Sequence, residues 1–244
     1  MPEEVLFAGK TFTVPDPRHT AVLPGQLGYE KRDLIRLLGE HLSPDFTVLD
    51  AYAGVGIGTY LYLRAGASCL AVEKDAEMFA CLERNLRGER AVLREQDNRR
   101  TLEELLGRGA AFDVIDLDAP GDFHEQLAMS FRLMDSGYLW LTTCEYVHIQ
   151  RNLNRSTLER RYGAGIEELY LTRDRYAFQE MVSRHVEAIG STAGHEVQLV
   201  HHAIGRTAVR LLFSVDTTVP RGLTDELSAR ERYFGPRRTG QAPS

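Results

Sequence analysis

The chain has 244 residues, of which 43% are hydrophobic and 26% charged, as is typical of a soluble globular protein with a substantial core. The net charge of −6 excludes a surface that is positive all over, although a local basic patch can still bind nucleic acid. No apolar run approaches the roughly 20 residues that span a bilayer, and the acidic N-terminus lacks the order of a signal peptide. Three scattered cysteines suit neither a disulfide framework nor a Cys-x-x-Cys zinc site. We therefore expect a cytoplasmic protein without a metal site.

The hydrophobic periodicity alternates between helix and strand patterns, which favours a parallel sheet covered by helices. Helices are predicted over residues 30–42, 59–64, 76–86, 102–106 and 176–189. Strands are predicted over residues 47–49, 69–72, 91–93, 112–117, 138–143, 197–201 and 208–215. The predicted domain comprises residues 1–219, with 1–44 as a helical lead-in. Prolines and charges predict that residues 220–244 form a tail that is partly disordered or wraps the surface.

A glycine-rich segment follows the first predicted strand. Asp50 closes this strand, and glycines then occupy positions 54, 56 and 58 before Thr59. Glycine lets the backbone turn sharply and lie against a ligand, and the amides of the following helix favour a polar or anionic group. A dinucleotide site would have the spacing Gly-x-Gly-x-x-Gly, whereas here an acid precedes three alternating glycines. A tight turn without a ligand remains the structural alternative.

This order of residues resembles motif I of the class I S-adenosylmethionine (SAM) methyltransferases. The resemblance implies an α/β fold with a Rossmann-like seven-stranded sheet, mostly parallel with an antiparallel last strand, and helices on both faces. It also implies SAM as the cofactor. SAM contains no pyrophosphate, and its sulfonium cation is attracted to carboxylates, so acids around Asp50 and Asp116 suit it better than a dinucleotide.

Successive predicted strands end in polar groups, which parallel strands bring to one edge of a sheet. Glu73 follows the second strand, where a carboxylate can accept hydrogen bonds from both ribose hydroxyls. Asp97 follows the third strand and can accept from the adenine amino group, although it can equally act as a helix N-cap. The residues expected to contact the cofactor are Asp50, Ala51, Tyr52, Gly54, Gly56, Thr59, Glu73, Lys74, Asp97, Asn98 and Asp116.

The end of the fourth predicted strand carries the information about the acceptor. Residues 115–118 read Ile-Asp-Leu-Asp and Gly121 follows in register, a pattern similar to that of the tRNA guanosine-N2 dimethyltransferases over roughly residues 45–145. That family has a proline–aromatic pair where this chain has Ala119-Pro120. The resemblance implies catalytic roles for Asp116, Asp118 and Pro120, with a carboxylate holding the acceptor amine. Because the two acids are two residues apart in a strand, both should point to the same face.

The resemblance further implies a nucleobase amine in RNA, with tRNA as the first candidate. Phe123 or Tyr146 is a candidate to stack on an extruded base, an interaction worth roughly 1–3 kcal/mol. Arginine-rich segments around residues 151–175 and 230–238 are candidates for RNA binding, although interleaved acids also suit a solvated face. The oligomeric state is not predicted.

Three alternatives remain open. One is a small-molecule methyltransferase, which the acidic balance suits, and another is a catalytically silent SAM-binding subunit, which the Ala119-Pro120 departure suits. The third is cysteine-dependent methylation of uracil C5, because Cys144 and the following residues partly match the motif of those RNA methyltransferases. A small cysteine at a strand end is more often a packing residue.

Overall fold

The computed structural model describes residues 3–15, 26–119, 121–205 and 208–234. The strands are β1 (Glu3–Phe7), β2 (Lys10–Val14), β3 (Thr47–Asp50), β4 (Ser68–Glu73), β5 (Ala91–Glu95), β6 (Val114–Ala119), β7 (Gly137–Thr143), β8 (Val197–Ile204) and β9 (Val209–Val215). The helices are α1 (Gln26–His41), α2 (Ile57–Arg64), α3 (Ala76–Asn85), α4 (Asn98–Gly107), α5 (His124–Phe131), α6 (Tyr146–Gln150), α7 (Arg155–Tyr162), α8 (Ile166–Thr172), α9 (Arg175–Ala193) and α10 (Arg221–Phe234). Among these, no helix has the length and apolar character that crossing a bilayer requires.

Seven strands form one sheet in the order β5-β4-β3-β6-β7-β9-β8. β9 runs antiparallel to both of its neighbours, and the other strand pairs are parallel, which confirms the predicted topology. The strand order reverses direction between β3 and β6, where Asp50 pairs with Asp116 in register. Ligands of open α/β sheets bind outside the carboxyl ends of strands at such a reversal. The topology therefore places the candidate site at the ends of β3 and β6.

Helices cover both faces of the sheet. On one face, leucines of α1, α2 and α10 pack with Val48, Val114 and Trp140. On the other face, α4, α5 and α9 pack against Ile115 and Leu117. Because side chains alternate along β6, Asp116 and Asp118 lie on the α1 face together with Val114.

The predicted helical lead-in is wrong, and the predicted tail begins with a helix. The N-terminal lead-in is not wholly helical, because β1 and β2 pair as an antiparallel hairpin before α1 begins. Alternating residues, among them Phe12 and Val14, are buried in this hairpin, a period of two that suits a strand. The segment after Val219 starts as helix α10, because Leu223 and Leu227 lie one turn apart and are both buried in the core. Residues 235–244 of the predicted tail lie outside the described residues.

Candidate cofactor and acceptor site

The turn between β3 and α2 has the backbone conformation that its glycines permit. Gly54 and Gly56 have φ angles of +53° and +90°, in the left-handed region that residues with a Cβ rarely adopt. A Cβ on Gly56 would lie 2.6 Å from Cδ1 of Leu82, so α3 packs directly against the turn. A Cβ on Gly54 would meet nothing within 4 Å, so space is open beside the turn. The turn thus combines a fixed backbone with room for a ligand.

Glu73 holds this turn to the end of β4. Its Oε2 accepts from the Gly54 amide at 2.9 Å, and its Oε1 accepts from the amides of Lys74 and Asp75, each at 2.8 Å. A carboxylate oxygen has two lone pairs. Oε1 of Glu73 therefore has both lone pairs occupied, and Oε2 has one lone pair free. Both ribose hydroxyls can bind to Glu73 only if one of the three amides is released.

The third predicted contact region lies at the start of α4. Asp97 caps this helix by accepting from the Arg99 amide at 3.1 Å, and its side chain is about half exposed, with Lys74 Nζ 3.9 Å from Oδ2. The N-cap role considered from the sequence is therefore present, and the exposed carboxylate is still accessible to a ligand. Asn98 is buried and donates to the Ala51 carbonyl at 3.3 Å, which ties α4 to the end of β3.

Tyr52 bridges the loops that follow β3 and β6. Its hydroxyl donates to the Asp122 carbonyl at 3.2 Å, and burial raises its pKa to about 12. The open glycine turn, Glu73 and Asp97 are thus gathered along adjacent strand ends. This set fits SAM, because open space lies beside a backbone turn and carboxylates are available for hydroxyl and amino donors.

A buried group that we call the lysine cluster lies under the ends of β3 and β6; it consists of Lys31, Asp50, Asp116 and Asp118. Lys31 Nζ is 2.7 Å from Oδ2 of Asp116 and 3.0 Å from Oδ2 of Asp118. Tyr62 donates to Asp116 Oδ2 at 2.9 Å, and Thr59 donates to Asp50 Oδ2 at 2.7 Å. Thr59 is therefore a buried support for Asp50 in this structure.

The three carboxylates of the lysine cluster differ in their electrostatics. Burial, together with the charge of Asp116, raises the pKa of Asp50 to about 7. Burial also raises the pKa of Asp116. For Asp118 the same desolvation is outweighed by the charges of Lys31 and Arg210, which hold the pKa of Asp118 below its ordinary value. Asp118 is thus the member whose ionised form is most strongly favoured, and its side chain is 26% exposed.

The expected role of Asp116 in direct contact with ligand does not agree with its position. Its side chain is fully buried on the α1 face, where Oδ2 accepts from Lys31 and Tyr62 and Oδ1 has no hydrogen-bond partner among the residues that the structure describes. Lys31 also places a positive charge among acids that we expected to attract the sulfonium directly. Asp116 therefore supports Lys31 from below, and Asp118 is the carboxylate that reaches the open side.

A second polar group, the arginine cluster, lies beyond the ends of β6 and β7 and consists of Asp122, His124, Glu145, Arg161 and Tyr162. The Arg161 guanidinium bridges the carboxylates of Asp122 and Glu145. Glu145 is buried and also accepts from the Tyr162 hydroxyl at 2.5 Å. Burial alone would raise the pKa of Glu145, but the hydrogen bond from Tyr162 and the nearby side chains of His124 and Arg161 lower it overall. This guanidinium fixes the loop after β6 to the end of β7.

The aromatic residues predicted to stack on a base are not accessible in this structure. Phe123 is fully buried and stacks on His124 with ring centroids 4.3 Å apart. Tyr146 is buried and donates to the Arg173 carbonyl at 2.5 Å. Stacking by either ring would require a rearrangement of the core. Tyr52, whose hydroxyl contacts the loop after β6, has a partly exposed side chain.

Cys144 lies between the two clusters. Burial and the charge of Asp118 raise the pKa of its thiol, so the thiol form dominates at neutral pH. This environment is the opposite of the one that activates a cysteine nucleophile. Pro120, the remaining predicted catalytic residue, lies outside the described residues.

Sequence reasoning missed Lys31, Arg161 as a bridge, Glu145 and Tyr62. Lys31 had a detectable signal, because it shares a helical stripe with Leu34, Ile35 and Leu38, all of which are buried. A lysine at an apolar position of such a stripe needs a buried anion. Glu145 and Tyr62 had no comparable signal in the sequence.

A family model described as Conserved hypothetical protein 95 matches residues 31–175, which is more than half of the chain. A comparison with curated proteins gives no significant match.

Solved structures share the fold at low identity. Trm1 from Pyrococcus horikoshii, in complex with SAM, has a TM-score of 0.69 and 16% identity, covering 92% of this chain and 64% of its own. A SAM-dependent methyltransferase from Agrobacterium tumefaciens has a TM-score of 0.59 and 16% identity, covering 87% and 70%. The tRNA m1G37 methyltransferase from M. jannaschii has a TM-score of 0.55 and 11% identity, covering 89% and 57%. The chain thus spans less than two thirds of the length of Trm1 and of the M. jannaschii enzyme.

The seven-stranded sheet, the glycine turn with its neighbouring acids and the family match agree with one another. The chain therefore belongs to the Conserved hypothetical protein 95 family, and it has the fold of the class I SAM-dependent methyltransferases.

Proposed function

We propose that this chain is a SAM-dependent methyltransferase that modifies a nitrogen of a nucleobase in RNA, with tRNA as the first substrate to test. The observation that carries the proposal is the position of Asp118, a part-exposed, ionised carboxylate at the end of β6, beside the strand ends that form the cofactor site. An ionised carboxylate accepts hydrogen bonds and donates none, so it suits an acceptor atom that carries an N–H.

The chain's own groups supply positioning. Bound SAM would supply an electrophilic methyl carbon, and Gly54, Glu73 and Asp97 are the residues that would hold it. Asp118 would accept a hydrogen bond from the acceptor amine and direct its lone pair. Tyr52 and Arg161 keep the loops around Asp118 in place through Asp122. Orientation of this kind contributes a large part of the rate when a reaction needs an in-line approach.

The surface around α7 and α8 supports an RNA substrate. Among the six arginines of residues 151–175, Arg155 pairs with Glu167 at 3.2 Å and Arg161 belongs to the arginine cluster. The other four are exposed and have no carboxylate partner within the part of the chain that the structure describes: Arg151, Arg160, Arg173 and Arg175. Leu171 and Tyr176, in the same segment, are also exposed. Cations interspersed with apolar and aromatic groups suit a nucleic acid strand.

The second predicted arginine segment, residues 230–238, lies where side chains are not described. The support for RNA therefore comes from residues 151–175 and from the likeness of the fold to a tRNA methyltransferase.

The test is transfer of label from methyl-labelled SAM to unmodified tRNA transcripts, to total RNA and to an RNA-free metabolite fraction, followed by nucleoside analysis. We expect label on a base nitrogen in RNA. Label only in the metabolite fraction would favour the small-molecule enzyme. SAM binding by calorimetry without transfer to any fraction would favour the silent subunit.

A matched pair of variants tests the RNA surface. Reversing the charge at Arg173 and Arg175 should weaken RNA binding, whereas reversal at Arg36, an exposed α1 arginine paired with Glu40, should not. Equal losses in both would remove the α7–α8 surface from the proposal.

A further inference from the structure

Lys31 is the least expected charge in the protein. Its side chain is 8% exposed, on a helical stripe whose other members are apolar, and its ammonium group contacts carboxylates that lie 85 or more residues away in the sequence. A Cβ on Gly58 would lie 3.7 Å from Lys31 Nζ, so the ammonium also approaches the start of α2 closely. Burying an ammonium is costly unless it is paired and hydrogen-bonded. The position therefore calls for a purpose beyond packing.

The contacts of Lys31 form a chain that ends at the open side of the site. Tyr62 donates to Asp116 Oδ2, the same oxygen that receives Lys31, and Lys31 then donates to Oδ2 of Asp118. Both carboxylates of this chain of contacts lie on β6, but only that of Asp118 is partly exposed. Asp116 and Tyr62 thus fix the Lys31 ammonium on its buried side, and the ammonium in turn fixes the carboxylate of Asp118.

We propose that Lys31 is a positioning residue for methyl transfer, which occupies Oδ2 of Asp118 so that Oδ1 faces the N–H of the acceptor base. The proposal rests on the proposed function, and it narrows the acceptor to a neutral nitrogen that carries hydrogen. An oxyanion or a carboxylate acceptor would be repelled by the ionised Asp118. Burial would lower the pKa of Lys31, but the charges of Asp116 and Asp118 outweigh it and raise this pKa. Lys31 therefore stays protonated and does not act as a base.

Several titratable groups share this environment and bear on any pH readout. Asp50 approaches from β3, Tyr62 from α2, and Arg210 from β9. Cys144, after β7, also feels the charge of Asp118. Lys31 forms ion pairs with both Asp116 and Asp118, so its removal should act most strongly on those two carboxylates.

The test compares Lys31→Met with Lys31→Arg and with Lys10→Met, which removes a lysine from a part-exposed ion pair with Glu89. Lys31→Met should lower kcat by roughly tenfold to a hundredfold with methyl-labelled SAM and RNA, while SAM affinity stays within about threefold. The acidic limb of its pH–rate profile should move to higher pH, because Asp118 loses the ammonium that contacts it and keeps only the charge of Arg210. Lys31→Arg should restore part of kcat and move the acidic limb part of the way back toward the wild-type pH. Lys10→Met should resemble the wild type.

A second measurement tests the proposal even if Lys31→Met does not fold or if RNA is not the substrate. In the double variant Lys31→Met/Asp116→Asn one buried charge of each sign is removed, so the excess negative charge of the single variant is avoided. Carboxyl ¹³C NMR of labelled aspartates should show Asp118 titrating at higher pH in this variant than in the wild type. An unchanged acidic limb in the pH–rate profile of Lys31→Met, or an unchanged Asp118 titration in the double variant, would overturn the role of Lys31. Absence of transfer to RNA by the wild type would instead overturn the proposed function, since the titration needs no substrate.

Discussion

The lysine cluster and the arginine cluster flank the same loops, yet they are built differently. Lys31 is a compact charge shared by two carboxylates of one strand, β6. Arg161 is a planar fork that joins a loop to the end of another strand. Asp118 of the lysine cluster is partly exposed and reaches the open side of the site, whereas Glu145 of the arginine cluster is buried and uses both of its oxygens. We therefore assign chemistry to the lysine cluster and loop placement to the arginine cluster.

The largest expected difference concerns stability. Lys31→Met leaves Asp116 buried without its cation and should lower the free energy of unfolding by about 3–5 kcal/mol. Arg161→Met should lower it by about 1–2 kcal/mol, because Glu145 keeps the Tyr162 hydroxyl and Asp122 is mostly exposed. Urea denaturation of both variants measures this. Equal losses would mean that the clusters do not differ as described.

The next difference concerns turnover. Asp118→Ala should lower kcat by roughly a hundredfold or more and leave SAM affinity nearly unchanged, because Asp118 acts on the acceptor. Asp122→Ala removes a carboxylate of the arginine cluster and should lower kcat by no more than about fivefold, since Glu145 still holds Arg161. Steady-state kinetics with RNA and calorimetry with SAM separate the two effects. Wild-type turnover in Asp118→Ala would remove the amine-holding role.

On acidification, the stability contributed by Asp50 of the lysine cluster and by His185 beside the arginine cluster should change in opposite directions. The pKa of Asp50, raised to about 7 by burial and by Asp116, means that the folded protein binds this proton more tightly than the unfolded chain. Its contribution to stability therefore rises as the pH falls from 7 to 5. His185, hydrogen-bonded to His124 of the arginine cluster, has its pKa lowered to about 4 by burial and by the charge of His124. Its contribution falls over the same interval, because the unfolded chain takes up the proton first.

Denaturation at pH 7 and pH 5 checks these signs. On acidification, Asp50→Asn should lose more stability than the wild type, and His185→Gln should lose less. The differences should be on the order of 1 kcal/mol, and smaller for His185 because solvent screens a half-exposed ring. If both variants lost more stability than the wild type on acidification, or both lost less, the predicted opposite signs would be wrong.

The smallest expected effect belongs to Cys144, which lies between the clusters. Cys144→Ala should keep kcat within about threefold of the wild type, because burial and Asp118 raise the pKa of the thiol and keep it protonated. RNA containing 5-fluorouridine should form no covalent adduct with the wild type. A trapped adduct, together with loss of activity in the variant, would favour methylation of a base carbon.

Much of the cofactor side of the site was predictable from the sequence. The alternation of apolar patterns predicts the strands whose ends carry Asp50, Glu73 and Asp118, and parallel strands bring these ends together. The hairpin β1–β2 and helices α5 to α8 were not predicted, because their patterns are short. The accessibility of Phe123 and Tyr146 was mispredicted, since a sequence position does not show which face of a loop is covered.

The amino-acid sequence by itself determined the alternating fold, the glycine turn and the acids at the strand ends, because periodicity and glycine conformations act over a few residues. Only the tertiary structure decided which acids meet which cations. Lys31 reaches Asp118 because the α1 helix covers the face of β6 on which that side chain lies. Arg161 reaches Asp122 and Glu145 because α7 lies against two loops. Such pairings depend on how helices are distributed over the two faces of the sheet, and no local rule of the chain specifies that distribution.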